Sequence, residues 1–133
     1  MLNHALVLVA EDEPFIALDL VLAIEDAGGL VVGPAASVEE ALALINATPV
    51  AGAILDVNLI DGDISPVAEL LLELGIPIIL QTGIGLPTDL AARYPKLVVN
   101  IKPCFAAQLV AQLETLMFDR RWADKPSDDC AVV

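Results

Sequence analysis

Four short apolar runs in this chain end on residues that can do acid, hydroxyl or cation chemistry. Glu11 and Asp12 follow Ala5 to Ala10, and Asp56 follows Ala51 to Leu55. Thr82 closes the run from Ile76, and Lys102 follows Leu97 to Ile101. If the runs are neighbouring strands, these residues meet on one rim. Three carboxylates gathered there would repel one another and hold on to protons unless a cation neutralised them. All-oxygen ligation with few protein ligands suits Mg²⁺, which keeps several waters and takes a phosphate oxygen readily. A hydroxyl and an ammonium facing the same carboxylates supply what a transferring phosphoryl group needs, donors for its equatorial oxygens.

The elements that must position these residues are legible from the punctuation. Ala5 to Ala10 reads as a strand. Pro14 to Ala27 reads as a helix, with proline in its first turn and Gly28-Gly29 as its stop. Leu30 to Gly33 is a second strand. Ser37 with Glu40 forms a capping box that opens a helix reaching about Asn46. The third strand is Ala51 to Leu55, and Pro66 to Leu74 is a helix stopped by Gly75. Ile76 to Thr82 is the fourth strand, Thr88 to Tyr94 a short helix, and Leu97 to Ile101 the fifth strand. A last helix runs from Pro103 to about Phe118, with Leu109, Leu113 and Leu116 on one face. Strands alternating with helices imply a parallel sheet covered on both faces, with ligands at the carboxyl ends of the strands.

Composition supports one domain of this kind. The 133 residues suffice for one core and leave no room for a second. Mean hydropathy is +0.76, yet polar residues or proline interrupt every apolar run before it could span a membrane. The net charge of −13 disfavours nucleic acid and anionic membrane surfaces as direct partners. The first residues carry no basic region or cleavage site of a signal peptide, so a cytoplasmic location is expected. Cys104 and Cys130 form neither a disulfide framework nor a metal pair and are read as free thiols. Residues 119–133 are polar and acidic apart from Trp122 and the last three residues, and are expected to form a disordered tail.

The runs VLVAEDEP (7–14), ILDVNLIDGD (54–63), LQTG (80–83) and IKPCF (101–105) resemble the receiver domain of response regulators, in order and spacing, across residues 5–118. The resemblance implies a flavodoxin-like, doubly wound α/β fold, with a five-stranded parallel sheet in the order 2-1-3-4-5 and a receiver domain over residues 1–118. It also implies roles for single residues. Asp56 would be the nucleophile that becomes an aspartyl phosphate. Glu11 and Asp12 would hold Mg²⁺, with Asp56 and the backbone carbonyl of Asn58 as further ligands. Thr82 would hydrogen-bond the phosphoryl oxygens, and Lys102 would pair with them after a cis bond to Pro103. The implied partners are a histidine kinase or histidine phosphotransfer protein and a downstream protein target. The chain would work in a two-component or phosphorelay system and would not be an enzyme beyond its own phosphorylation and slow dephosphorylation.

Other features have plainer readings. Glu13 belongs to the first turn of the first helix, Asp61-Gly62-Asp63 to a turn, and His4 to an exposed position without a partner. Gly83-Ile84-Gly85 lacks the third glycine of a dinucleotide loop. An aspartate-dependent phosphatase of the haloacid-dehalogenase kind would need an acid two residues after the nucleophile, where Asn58 stands. A receiver-like scaffold that is never phosphorylated would have no need of the complete residue set. Departures from the commonest receiver pattern are Glu11 in place of aspartate and Val99 where a swinging aromatic is common. Gly83 and Ile84 also follow the hydroxyl, so loop 82–87 is expected to carry the signal.

Overall fold

The computed structural model describes residues 1–118, and the expected tail at 119–133 lies outside the described residues. The strands of the main sheet are β1 (Leu6–Ala10), β2 (Leu30–Ala35), β3 (Gly52–Asp56), β6 (Ile78–Thr82) and β7 (Val98–Ile101). Between β3 and β6, two-residue strands β4 (Asn58–Leu59) and β5 (Gly62–Asp63) form a small antiparallel ladder. All pairings of the main sheet are parallel, in the order β2-β1-β3-β6-β7. This is the expected order once the small ladder is set aside. The helices are α1 (Pro14–Asp26), α2 (Val38–Ala47), α3 (Ser65–Glu73), α4 (Thr88–Arg93) and α5 (Ala106–Met117).

Alternation along buried strands divides the core into two layers. Val7, Val9, Ile54 and Ile79 pack with Leu20 and Ile24 of α1 and Leu109, Val110 and Leu113 of α5. The intervening residues, Leu8, Ala10, Ala53, Leu55, Ile78 and Leu80, face α2, α3 and α4 through Ala41, Val67, Leu71 and Leu90. β3 and β6 are buried along their full length, which is why residues 52–55 and 78–80 are continuously apolar ahead of the polar residues at their ends. No helix among the described residues is long and apolar enough to cross a membrane.

Helix ends follow the predicted signals. Gly28 and Gly75 take positive φ and close α1 and α3. Gly29 N donates to Ile24 O at 2.9 Å and Ile76 N to Leu71 O at 2.9 Å, which satisfies carbonyls of the last turn. Ser37 Oγ accepts from Glu40 N at 3.0 Å, and Glu40 returns a carboxylate to Ala36 N at 2.9 Å. Asp61 reaches the same helix end from the β4–β5 turn and accepts from Val38 N and Glu39 N at 2.6 and 3.1 Å. These bonds hold its carboxyl below the usual range.

Several boundaries move. Asp56 is the last residue of β3, paired with Gln81, and does not follow the strand. β2 continues to Ala35 because an irregularity after Leu8 absorbs Gly33, whose φ is 103°, before Ala10 pairs with Ala35. α5 begins at Ala106, since Phe105 is extended and its carbonyl accepts the first helical bonds.

Ile54 sits at the centre of β3 with no exposed surface. Ile54→Ala should lower stability by about 3 kcal/mol, read as a shifted urea midpoint with unchanged slope. Leu18→Ala, on the exposed side of α1, should stay within about 0.5 kcal/mol of the parent.

Candidate functional site

The carboxyl ends of β1, β3 and β7 bring together Glu11, Asp12, Asp56 and Lys102. One carboxylate oxygen from each of Glu11, Asp12 and Asp56 lies within 4.8 Å of the others. Lys102 Nζ donates to Asp56 Oδ2 at 2.8 Å and lies 3.2 Å from Glu11 Oε1. Glu11 and Asp56 are buried, whereas Asp12 is exposed at the mouth. Two inner acids beside one ammonium, with a third acid open to solvent, make a cradle for a hard cation. The oxygen-only donor set fits Mg²⁺.

The inner acids are oriented by local bonds. Glu11 Oε2 accepts from Glu13 N at 3.0 Å, and Gln81 Nε2 donates to Glu11 Oε1 at 3.0 Å. Asp56 Oδ1 accepts from Asn58 N at 3.3 Å. Glu13 caps α1, as its position before Pro14 predicts, by accepting from Phe15 N. Burial is the main reason that the Glu11 carboxyl is pushed up to about 7, and the charge of Asp56 adds to it. The Glu13 amide and the Lys102 ammonium oppose the shift. For Lys102, burial pulls the pKa down, but its bond to Asp56 and the charges of Glu11 and Asp56 outweigh it, so the ammonium is raised overall. Cys104 stands beside this lysine, yet burial pushes its thiol up, and its Sγ donates to Ile101 O at 3.2 Å.

Thr82 ends β6 between the strands that carry Asp56 and Lys102. Its backbone does close β6, and Lys102 N donates to Thr82 O at 2.8 Å. Its hydroxyl is engaged with its own loop. Oγ1 donates to Gly85 O at 3.0 Å and accepts from Ile84 N and Gly85 N at 3.2 and 3.0 Å. A hydroxyl two and three residues before free backbone amides has a local partner ready, and it takes that partner in preference to the carboxylates. Lys102-Pro103 is cis, as the resemblance implies. Gln81 is a site residue that sequence reasoning missed. Its signal is a polar residue at a doubly buried strand position, in register with Asp56.

Comparison with solved structures places the chain. The response regulator receiver protein from Sinorhizobium medicae is 25% identical with a TM-score of 0.76, over 90% of this chain and 99% of that one. SdrG from Sphingomonas melonis is 34% identical with a TM-score of 0.68, over 86% and 99%. The response regulator PhyR from Brucella abortus is 28% identical with a TM-score of 0.69, over 90% of this chain. This chain spans only 52% of that protein's length. It likewise spans 48% of the anti-anti-sigma factor PhyR from Bartonella quintana. No protein-family description and no curated protein matches the sequence. The fold is that of a doubly wound, receiver-type α/β domain. The chain belongs to the response regulator receiver domains.

Because Glu11 holds a proton below about pH 7, a cation entering the cluster must displace it. Apparent Mg²⁺ affinity should therefore fall roughly tenfold between about pH 8 and about pH 6. Titration calorimetry in buffers of differing ionisation enthalpy should show the proton released. In Asp12→Ala the saturable response should be lost or strongly weakened.

Proposed function

We propose that this chain is a single-domain response regulator of a two-component or phosphorelay system. It accepts a phosphoryl group on Asp56 from a histidine kinase or histidine phosphotransfer protein and signals by contact with a protein partner. The observation that carries this reading is the placement of Lys102 Nζ between Asp56 Oδ2 and Glu11 Oε1 beside a cluster of three carboxylates.

An oxygen of Asp56 attacks phosphorus, the new O–P bond forming as the P–N bond to the donor histidine breaks, and the imidazole departs and regains its proton. Glu11, Asp12 and Asp56, with the carbonyl of Asn58, would hold Mg²⁺. When bound, the ion neutralises carboxylate and phosphoryl oxygens in a transition state with little covalent demand on the protein. Asn58 N fixes the Asp56 carboxylate, and Lys102 shifts its ammonium from carboxylate to phosphoryl oxygen. Ile84, 86% exposed two residues beyond Thr82, cannot orient an attacking water, which suits slow hydrolysis and a lasting signal. The domain therefore catalyses its own phosphorylation and slow dephosphorylation and turns over no other substrate.

Acetyl phosphate with Mg²⁺ should add one phosphoryl group to the chain, read by intact mass, and Asp56→Asn should take none. Modification persisting in that variant would place the nucleophile elsewhere. No modification of the parent by any phosphodonor would favour a scaffold that works unphosphorylated.

Transmission should begin at Thr82, whose hydroxyl must leave three loop contacts to reach a phosphoryl oxygen. Val99 is short and stiff and cannot sweep a large volume, whereas Gly85, at φ 107°, has conformations closed to other residues. Beryllofluoride with Mg²⁺ should perturb backbone NMR signals of residues 83–94 as well as 56–63. Changes confined to 56–63 would refute this route.

A further inference from the structure

Gln81 occupies a position where the strand pattern calls for an apolar side chain. β6 is buried throughout, and alternation puts Gln81 with Ile79 on the sheet face covered by α1 and α5. At 2% exposure its amide would cost stability without a partner. Its backbone cannot drift, because it is in register with Asp56 on one side and Asn100 on the other, and its carbonyl accepts from Val57 N at 3.0 Å. Its Nε2 faces Glu11 Oε1 at 3.0 Å. The same oxygen faces the Lys102 ammonium, which only donates, so it is an acceptor and the amide nitrogen is the atom that faces it.

Glu11 has three donors, Glu13 N on one oxygen and Gln81 and Lys102 on the other. Lys102 is shared with Asp56 and is the group that turns to an incoming phosphoryl oxygen. Gln81 is the side-chain donor that stays. A glutamate has a longer and freer arm than an aspartate and loses more rotamer freedom when held, so a fixed neutral donor decides where its carboxylate lies. We propose that Gln81 is a positioning residue for the phosphoacceptor site, its amide holding the Glu11 carboxylate in the acidic cluster for metal binding and phosphoryl transfer. This inference rests on the phosphoacceptor reading.

Gln81 also lines a cavity of about 310 Å³ with Ile16, Leu20, Lys102 and Leu109, so an apolar side chain of similar size has room there. The test is a cycle of Mg²⁺ affinities for Gln81→Leu and Gln81→Met, each made in the parent and in Glu11→Asp, whose carboxylate is one methylene too short to meet the amide. In the parent background each should weaken Mg²⁺ binding by about tenfold, the size found for outer-shell partners of metal ligands. In Glu11→Asp the same changes should matter by less than about twofold. Loss of equal size in both backgrounds, or parent-background affinities within about twofold of unsubstituted protein, overturns the proposal. The unsubstituted protein gives a second readout free of any folding defect. Its Gln81 side-chain amide resonances should shift as Mg²⁺ saturates, and resonances that stay put overturn the proposal. An unsubstituted protein that binds Mg²⁺ and is phosphorylated while the variants behave like it defeats this inference alone. One that does neither defeats the phosphoacceptor reading and this inference together.

Discussion

The ammonium of Lys102, shared between Asp56 and Glu11, is the interaction on which the site depends. Two buried carboxylates side by side are unfavourable, and one cation in contact with both makes the arrangement tenable. The sheet order dictates which residue can supply it. β1 and β3 are neighbours, so Glu11 and Asp56 meet directly, but β7 is separated from β3 by β6. At roughly 5 Å per strand, the gap from β7 to Asp56 is about 10 Å, which calls for a long side chain crossing the end of β6. The lysine arm closes that gap together with the Asp56 side chain that meets it, and Gln81 and Thr82 end the strand between them.

The shared cation does not fully compensate. Burial still holds the Glu11 carboxyl near neutrality, so the cluster retains an affinity for positive charge that a proton meets incompletely. On the proposed phosphoacceptor reading, a site balanced in this way would take a divalent ion and, through it, a phosphoryl group. The strongly acidic chain works in the same direction, since only 6 of its 133 residues are Lys or Arg against 19 acids. Thr82 completes the logic from the other side. Its hydroxyl is satisfied within loop 82–85, so its move toward a phosphoryl group would exchange one set of hydrogen bonds for another. α4, just beyond this loop, is tied to α3 by the exposed ion pair of Arg93 with Glu69, a contact weak enough to yield.

Much of this was written in the sequence because the chemistry sits where strands stop. Continuous apolar runs gave the strands, and glycines with positive φ gave the ends of α1 and α3. Acids and a lysine immediately after β1 and β7, with Asp56 at the tip of β3, gave the rim. What escaped is local and three-dimensional. Two-residue strands such as β4 and β5 carry no periodicity to detect, so Asp61 looked like a turn residue, although it also grips the first amides of α2. The direction of the Thr82 hydroxyl depends on a choice between partners that motif matching cannot see. Gln81 carries no signal of its own in the sequence, because one amide at the end of an apolar strand looks incidental until the register sets it opposite Asp56.

A crystal structure of the Mg²⁺ and beryllofluoride adduct would show whether the ammonium that holds the paired acids is released to a phosphoryl group on Asp56. Fluoroberyllate should be attached to an Asp56 oxygen, with Lys102 Nζ moved from Asp56 Oδ2 onto a fluorine. An adduct on another residue, or Lys102 still paired with the carboxylates in a fully occupied adduct, would contradict it.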